Sequence, residues 1–350
     1  MKTTINTKEL VSAVAIAANY TSKNGDNANK ALFSYEDETT FSIKSTDYIE
    51  AINIKLNCKG LEFFEDFSLD IKTFLAIVKI AKKEETILEK TDDKLLVKSG
   101  RTRAKIELLS EVPILKEDTD KITDFVLTTE IINSFKIMEH SIDSGFSGRL
   151  ELTGMLMKCE NGLLTFAGTD SKRLCIEKHE CVASDFEKII PKTALKTLTR
   201  CSAGTIINIS DNDIYVENKK QKYFCKFINS TYVAFEKIIP VSHTQTFKIN
   251  TKLFQEILKD TSIMDENVLI EIKNGKIKSS SLEGNIETER DLETGNADIE
   301  FAVCAKYALD YLAVCKYNEI QIGFNDSLLP FCLIKAPSEF EIIMPLNTNA

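Results

Sequence analysis

The chain has 350 residues, more than one ordinary hydrophobic core holds, and this length predicts two or three domains. A hydrophobic fraction of 43% with 28% charged residues indicates a folded globular protein, and 13 glycines with 6 prolines exclude collagen-like and low-complexity chains. The formal net charge of −9 argues, taken alone, against a nucleic-acid partner.

The first third of the chain contains an extended stretch that leads into a helix, a second helix and a hairpin. These segments are INTKEL (5–10), IKTFLAIV (71–78) and TILEKTDDKLLVKS (86–99). Thr7 is the predicted N-cap of the first helix, and Asp92-Asp93 provides the hairpin turn. The apolar face of the first helix is formed by Leu10, Val14 and Ala17.

The middle third repeats this order of elements. Its segments are LTTEII (127–132), PKTALKTL (191–198) and IINISDNDIYVEN (206–218). Thr128 is the predicted N-cap, Pro191 lies where a first helical turn tolerates proline, and Asp211-Asn212 is the predicted turn.

The last third repeats the order once more. Its segments are INTKLF (249–254), AKYALDYL (305–312) and EIQIGFNDSLLPFCLIKA (319–336). Thr251 is the predicted N-cap, and Asn325-Asp326 separates two strands.

The first segments of the three thirds are spaced by 122 residues, which indicates an internal repeat. Chance similarity of short stretches is the alternative, but three copies in the same order at equal spacing argue against it. The sequence therefore predicts an α+β fold with three tandem domains, each made of two strand–helix–strands halves. The predicted boundaries are 1–122, 123–243 and 244–350.

Positive charge is concentrated in the predicted helices. The second-half helices, 71–83, 191–202 and 305–316, carry +4, +3 and +1, whereas the first-half helices carry 0, −1 and 0. The six helices sum to +7, which leaves −16 for the rest of the chain. A basic helix face can simply be solvated, but six helices with few acids in an acidic chain indicate a surface that faces a polyanion, bound through its phosphates.

Helix width sets how many helices could surround such a polyanion. Six helices, each about 10 Å wide, would close around a hole of roughly 9 Å, which is too narrow for a DNA duplex. Twelve would leave a hole of about 28 Å, so two chains are needed. Head-to-tail contacts would close such a ring, with the sheets on its outside.

Cysteine spacing and hydropathy bear on cofactors and location. The nine cysteines include no C-x-x-C pair, so buried free thiols are expected rather than a zinc site or disulfides, and no metal or cofactor is predicted. There is no cleavable signal and no run of 18 apolar residues. A cytoplasmic protein without membrane segments is expected.

Several stretches together resemble the bacterial DNA polymerase III beta subunit family, the sliding clamps, over essentially the whole chain. They are LELTGMLMK (150–158), GTDSKRL (168–174), IIPKTALKTLTR (189–200), YALDYL (307–312) and IIMPL (342–346). The resemblance implies a homodimeric, nucleoid-associated DNA replication protein that encircles duplex DNA without sequence specificity. Its implied partners are the polymerase catalytic subunit, the clamp loader and other proteins with a clamp-binding motif.

The resemblance also implies a hydrophobic pocket for partner peptides between the second and third domains. Its family positions fall on Leu152, Thr169, Arg173, Leu174, Ile238, Tyr307, Ile342, Met344, Pro345 and Leu346. Such a set suits the apolar anchors of a short extended peptide. The candidate DNA-facing residues are Lys72, Lys79, Lys82, Lys83, Lys192, Lys196, Arg200, Lys306 and Lys316.

The repeat separates structural from functional residues in this pocket. Thr46-Asp47 in the first third corresponds to Thr169-Asp170 in the second, so the Thr-Asp pair is predicted to be structural, and the divergent Arg173 and Leu174 to be functional. The chain also departs from the family pattern, which puts the preferred peptide in doubt. The departures are Ser171-Lys172 for Gly-His, Val233-Ala234-Phe235 for Pro-Asp-Tyr, Cys304 for an asparagine, and a shortened loop after Met264.

The residues disfavour two other classes of protein, an enzyme and a scaffold that binds only proteins. An enzyme is disfavoured because His140, His179 and His243 lie in no nucleophile, metal or phosphate-loop motif, and His179 with Cys181 lacks an orienting third group. A repeat-built scaffold that binds only proteins is disfavoured by the basic helices. The sequence therefore predicts a non-catalytic processivity factor.

Overall fold

The computed structural model describes residues 2–23, 29–109, 120–292 and 297–347, and its chain divides into two compact units. The first unit comprises Met1–Asp124 and Ile206–Lys226, and the second comprises Phe125–Thr205 and Phe227–Ala350. The units follow shared sheets rather than sequence repeats, because residues 206–226 of the middle third complete a sheet of the first unit. The division into three domains stays a prediction.

Six α-helices lie in the described ranges, two from each third of the chain. They are α1 Thr7–Ala17, α2 Ile71–Lys79, α3 Thr129–Met138, α4 Lys192–Leu198, α5 Thr251–Thr261 and α6 Ala305–Val314. In the first unit α1 packs against α2, and in the second α4, α3, α6 and α5 form a row of neighbours. Helices α1, α3 and α5 begin 122 residues apart, as the sequence repeat predicts.

The predicted N-caps are correct for one helix and wrong for two. Thr128 caps α3, but α1 and α5 are capped by Asn6 and Asn250, each of which accepts from two backbone N–H groups. Thr7 and Thr251 are the first helical residues, and their hydroxyls contact Thr86 Oγ1 at 2.8 Å and the Tyr317 carbonyl oxygen at 2.7 Å. An asparagine one residue earlier is the stronger cap. The threonine hydroxyls instead hold each helix to a segment 79 or 66 residues later in the chain.

The strands in the described ranges are β1 Lys2–Asn6, β2 Lys30–Asp37, β3 Thr40–Thr46, β4 Glu50–Asn57, β5 Phe67–Asp70, β6 Glu85–Lys90, β7 Lys94–Ser99, β8 Thr102–Glu107, β9 Lys121–Val126, β10 Gly154–Glu160, β11 Leu163–Thr169, β12 Arg173–Glu180, β13 Phe186–Pro191, β14 Ile206–Ser210, β15 Asp213–Glu217, β16 Gln221–Lys226, β17 Gln245–Asn250, β18 Asn267–Lys273, β19 Lys276–Ser281, β20 Glu287–Asp291, β21 Ile299–Cys304, β22 Glu319–Phe324, β23 Phe331–Ala336 and β24 Glu339–Ile343. The three predicted hairpins are confirmed as β6–β7, β14–β15 and β22–β23.

In the described residues, each unit contains one eight-stranded and one four-stranded sheet. The first has the orders β5-β2-β3-β4-β16-β15-β14-β9 and β1-β6-β7-β8, and the second has β13-β10-β11-β12-β24-β23-β22-β17 and β20-β19-β18-β21. In each large sheet, two sets of four strands meet at a central antiparallel pair, β4 with β16 and β12 with β24. These central pairs join strands that are far apart in the chain.

Burial alternates along some strands, such as β4, whereas β10 and β12 in the large sheet of the second unit are buried on both faces. In β4 every second residue from Glu50 to Leu56 is buried, as a half-buried strand requires. Phe33 in the first unit stacks on Phe67 at 5.1 Å between ring centroids and meets Phe74 of α2 edge-on at 5.6 Å. In the second unit Phe135 of α3 meets Phe166 of β11 at 5.4 Å, so helices pack on the sheets through aromatic side chains.

All nine cysteines are free thiols, five of them buried and four half-buried. Among the described residues, no helix combines the length and the apolar character needed to cross a membrane.

Candidate functional site

One cleft in the second unit, with a volume of about 310 Å³, brings together side chains from distant parts of the sequence. Its floor lies on the central pair β12–β24, where Leu174 is opposite Ile342. Two short 3₁₀ turns, Leu150–Thr153 and Phe235–Ile238, contribute to its walls. The lining residues are Arg149, Leu152, Thr169, Ser171, Lys172, Arg173, Leu174, Val233, Ala234, Phe235, Ile238, Ile342 and Met344.

The cleft has a rigid floor and an accessible apolar mouth. Leu152, Leu174 and Ile342 are at most 1% exposed, so the floor is fixed by the core beneath it. Ile238 and Met344 are 48% and 39% exposed. A ligand that covers these two side chains would remove apolar surface from water without reorganising the floor, which is the property of a preformed anchor site.

A five-residue turn forms the rim of the cleft. Thr169 Oγ1 donates to the Arg173 carbonyl oxygen at 2.6 Å and accepts from the Ser171 N–H at 3.1 Å. Asp170 Oδ1 accepts from the N–H groups of Lys172 and Arg173 at 3.0 and 3.1 Å. These bonds hold Ser171 at a φ of 74°, in the left-handed region, and so fix the direction in which Arg173 leaves the turn.

The first unit contains the same turn at the equivalent place in its sheet. Thr46 Oγ1 donates to the Glu50 carbonyl oxygen at 2.8 Å, and Asp47 Oδ1 accepts from the N–H groups of Ile49 and Glu50 at 3.0 and 2.7 Å. Tyr48 has a φ of 77°, like Ser171. The prediction that the Thr-Asp pair is structural is confirmed.

Arg173 lines the cleft and is held by a network of contacts within the second unit. Its Nε donates to Asp170 Oδ2 at 3.0 Å and its Nη1 to Asp310 Oδ2 of α6 at 2.8 Å, while its guanidinium lies 4.8 Å from the centre of the Tyr307 ring. Burial works to lower the Arg173 pKa, but the hydrogen bond to Asp310 and the nearby carboxylates outweigh it and raise the pKa. Arg173 is therefore a fixed cation that joins the rim to α6.

The structure brings together seven of the ten predicted pocket residues. These are Leu152, Thr169, Arg173, Leu174, Ile238, Ile342 and Met344. Tyr307 lies against Arg173 instead of in the lining, and the Leu346 N–H donates to the Ala302 carbonyl oxygen at 2.8 Å, which turns the segment containing Pro345 towards β21. The role of all ten residues in binding a partner stays a prediction.

Some lining residues are absent from the predicted set. Arg149 directly precedes the 3₁₀ turn that carries Leu152, and its side chain pairs with Glu151 at 2.9 Å. Phe235 begins the 3₁₀ turn that ends at Ile238. Both residues are close in sequence to predicted members of the site, and this closeness could have identified them.

Most of the predicted DNA-facing cations are exposed. Lys72 and Lys79 lie on α2, Lys196 on α4 and Lys306 on α6, all with solvent-exposed side chains. Lys192 differs: it is half-buried, its Nζ donates to the Ile142 carbonyl oxygen at 2.9 Å, and burial lowers its pKa. It is the least suited of the set to contact a phosphate.

The second-half helices are shorter than their basic segments. Lys82 and Lys83 follow the end of α2, Arg200 follows α4, and Lys316 follows α6 and donates to Asn133 Oδ1 at 2.8 Å. The prediction that these four residues are helical is wrong, because the helices end after two to three turns. The cations instead cluster at helix C-termini, where the helix dipole favours positive charge.

Two models of one family match this chain, the central domain of the DNA polymerase III beta subunit at residues 131–233 and its C-terminal domain at residues 236–346. The chain is 26% identical to the beta sliding clamp of Helicobacter pylori over 284 residues, which cover 76% of this chain and 75% of that protein.

Solved structures share the fold. The Helicobacter pylori beta clamp bound to a DNA ligase peptide has a TM-score of 0.90 at 22% identity, with 99% of this chain and 100% of that one covered. The DNA polymerase III subunit beta of Pseudomonas aeruginosa also has a TM-score of 0.90, at 17% identity and the same coverage.

Proposed function

We propose, because this chain belongs to the DNA polymerase III beta subunit family of sliding clamps, that it closes with a second copy into a ring around duplex DNA and tethers replication proteins there. As a sliding clamp it is a processivity factor and not an enzyme. The observation that carries the proposal for its partners is the cleft on β12–β24, with its fixed apolar floor and its exposed Ile238 and Met344.

The cleft suits a short extended peptide with apolar side chains. A volume of about 310 Å³ accommodates two or three such side chains but not a folded domain. The relative whose structure contains a DNA ligase peptide indicates the kind of ligand. The proposed occupants are peptide segments of the polymerase catalytic subunit, the clamp loader and other replication or repair proteins.

Contact with DNA is proposed to be weak and independent of sequence. The exposed lysines of α2, α4 and α6 carry no groove-reading motif and suit phosphate contacts, which salt screens. Because the ring would be held topologically, weak contacts allow it to slide. A cytoplasmic, nucleoid-associated location follows from this role.

The sheet edges support a head-to-tail homodimer, although no interface motif is readable in the sequence. Strands β8 and β20 are outer strands of the two four-stranded sheets, and outer strands pair readily with another chain. Strand β8 and the residue before it present Arg101, Arg103 and Lys105, whereas β20 presents Glu287, Glu289 and Asp291. Pairing β8 of one copy with β20 of the next would bring opposite charges together.

Topological retention on DNA tests the ring. The protein is loaded onto nicked circular duplex DNA, free protein is removed by gel filtration, and half of the sample is linearised by a restriction enzyme that cuts once. We expect the protein to be retained on circles and lost from linear DNA, with retention restored when streptavidin blocks biotinylated ends. Equal retention on circular and unblocked linear DNA would contradict topological binding.

A further inference from the structure

Behind the cleft, on the opposite face of the same two strands, three potential metal ligands come together. Leu174 and Ile342 form the register pair on the cleft floor, and the next pair is Cys175 with Glu341. Because side chains alternate along a strand, Cys175 and Glu341 point away from the cleft. His140, two residues after the end of α3, completes the group, and one ligand atom from each residue lies within 4.8 Å of the other two.

This group is buried, and part of it has no partner. Cys175 and Glu341 are 0% exposed, and the His140 side chain is 11% exposed. His140 Nε2 lies 2.5 Å from Glu341 Oε2, but His140 Nδ1 and Glu341 Oε1 have no hydrogen-bond partner among the described residues. A buried carboxylate oxygen without a partner is unfavourable, so each such atom in a native protein needs an explanation.

The neighbouring cations do not supply that partner. Lys335 pairs with Glu177 and with Glu339, and Arg173 pairs with Asp170 and Asp310. Arg173 interacts electrostatically with Glu341, but in the described part of the chain the His140 imidazole is the only group within hydrogen-bonding distance of a Glu341 side-chain oxygen. Within the same ranges the Tyr311 hydroxyl also lacks a hydrogen-bond partner, and its ring centre lies 6.0 Å from that of His140.

We propose that His140, Cys175 and Glu341 bind a divalent transition-metal ion, with Zn²⁺ the best match. Thiolate, imidazole and carboxylate are the three ligand types that zinc takes in proteins, whereas Mg²⁺ and Ca²⁺ prefer oxygen ligands alone. Donor atoms around a tetrahedral zinc ion are about 3.3–3.8 Å apart, so the widest separation in the group needs to shorten by at most about 1.5 Å. If His140 Nε2 and Glu341 Oε2 both bind the ion, they need to move apart from 2.5 Å by roughly 1 Å. The fourth coordination position is left to water or to the nearby Tyr311 hydroxyl.

Binding at this site has a defined proton balance and structural effect. The ion coordinates the Cys175 thiolate, so the thiol proton passes to solvent, and it takes a nitrogen lone pair of neutral His140 and an oxygen of Glu341. No oxidant or reductant is involved. The ion would join the segment after α3 to the central strand pair, directly behind the floor of the cleft.

Cobalt titration of the full chain tests the proposal, since Co²⁺ occupies zinc sites and gives a thiolate-to-cobalt charge-transfer band. We expect one Co²⁺ per chain with this band, displacement of the cobalt by Zn²⁺, and loss of the band in Cys175→Ser. Cys332→Ser is the matched control, because Cys332 is also a buried strand cysteine of the second unit but lies outside the group. This control is expected to keep the band.

Thermal unfolding provides a second measurement that does not depend on a variant folding. Zn²⁺ at a hundredfold excess over its Kd is expected to raise the Tm of the unmodified chain by about 5 °C, and a chelator to reverse the rise. His140→Gln should abolish the zinc-dependent rise. Absence of a thiolate band in the unmodified chain, persistence of the band in Cys175→Ser, or a Tm unaffected by Zn²⁺ would each overturn the proposal.

Discussion

The two large sheets contain the same turn at the same place, and in the second unit that turn borders the peptide-sized cleft, but the side chain at the end of the turn differs. Thr46 and Thr169 make equivalent hydrogen bonds, but the last residue of the turn is Glu50 in one unit and Arg173 in the other. Glu50 accepts a hydrogen bond from the buried Tyr223 hydroxyl within its own sheet, whereas Arg173 reaches across to Asp310. The two units thus share the backbone of the turn but differ in the side chain of its last residue. In the first unit this side chain is bonded within the sheet, and in the second it is paired with a residue of α6.

Loss of Arg173 should have the largest effect of any single substitution in the two turns. Arg173→Ala removes two ion pairs and leaves Asp170 and Asp310 without their cation, so we expect unfolding of the second unit to become easier by about 3 kcal/mol and peptide binding to fall. Urea unfolding and peptide anisotropy measure the two effects. Glu50→Gln, at the equivalent position of the first unit, should leave peptide affinity unchanged; an equal loss in both variants would remove the functional distinction between the turns.

Substitutions at the exposed mouth of the cleft should weaken peptide binding without lowering the stability of the fold. Truncating Ile238 and Met344 together to alanine removes apolar contact from two half-exposed side chains, and we expect about 30-fold weaker binding of a polymerase-derived peptide, near 2 kcal/mol. Isothermal titration calorimetry gives the affinity, and sedimentation tests whether the dimer persists. Leu328→Ala, at an exposed leucine outside the cleft, is the control. An affinity within twofold of the unmodified chain would contradict the assignment.

Because the Thr-Asp pair makes the same hydrogen bonds in both units, equivalent substitutions should reduce the unfolding free energy by similar amounts. Thr46→Val and Thr169→Val each remove a hydroxyl that donates to a carbonyl and accepts from an N–H, and each should cost about 1–2 kcal/mol of unfolding free energy. Chemical denaturation with a probe in each unit measures the costs. A much larger cost at Thr169 would mean that the two turns differ in more than their flanking side chains.

The smallest effect should come from single surface cations. Lys196→Ala is expected to lower the slope of log affinity against log salt by about 1 for duplex DNA, without a preference for sequence. Lys192→Ala should change it less, since the Lys192 ammonium is occupied by the Ile142 carbonyl oxygen. Fluorescence anisotropy over a salt series measures both slopes. A larger change of slope for Lys192→Ala than for Lys196→Ala would contradict the proposal that Lys196 is the better placed of the two to contact a phosphate.

Much of the fold could be read from the sequence because local periodicity encodes it. The helix starts near Thr7, Thr129 and Thr251 and the three hairpins follow from alternation and turn residues. The attachment of β16 to β4 could not be predicted, because pairing between distant strands leaves no local pattern.

The site was predictable to the extent that it follows contiguous motifs. Leu174 and Ile342 lie in recognisable segments and meet on the floor of the cleft. Tyr307 and Leu346 lie outside the lining of the cleft, because their positions depend on the Arg173 contact and the pairing with Ala302, both of them tertiary. His140, Cys175 and Glu341 come from three separate segments, so no spacing of cysteines or histidines in the sequence predicts the group.

The central strand pairs also order events during synthesis. In each large sheet the inner strand waits for a partner made much later, β4 for β16 and β12 for β24. Until residues 339–343 leave the ribosome, β12 has an unpaired edge and the cleft has half a floor. Chains that lack residues 339–343 are therefore expected not to bind a partner peptide at this cleft, so that only chains with a completed second unit would compete for partners.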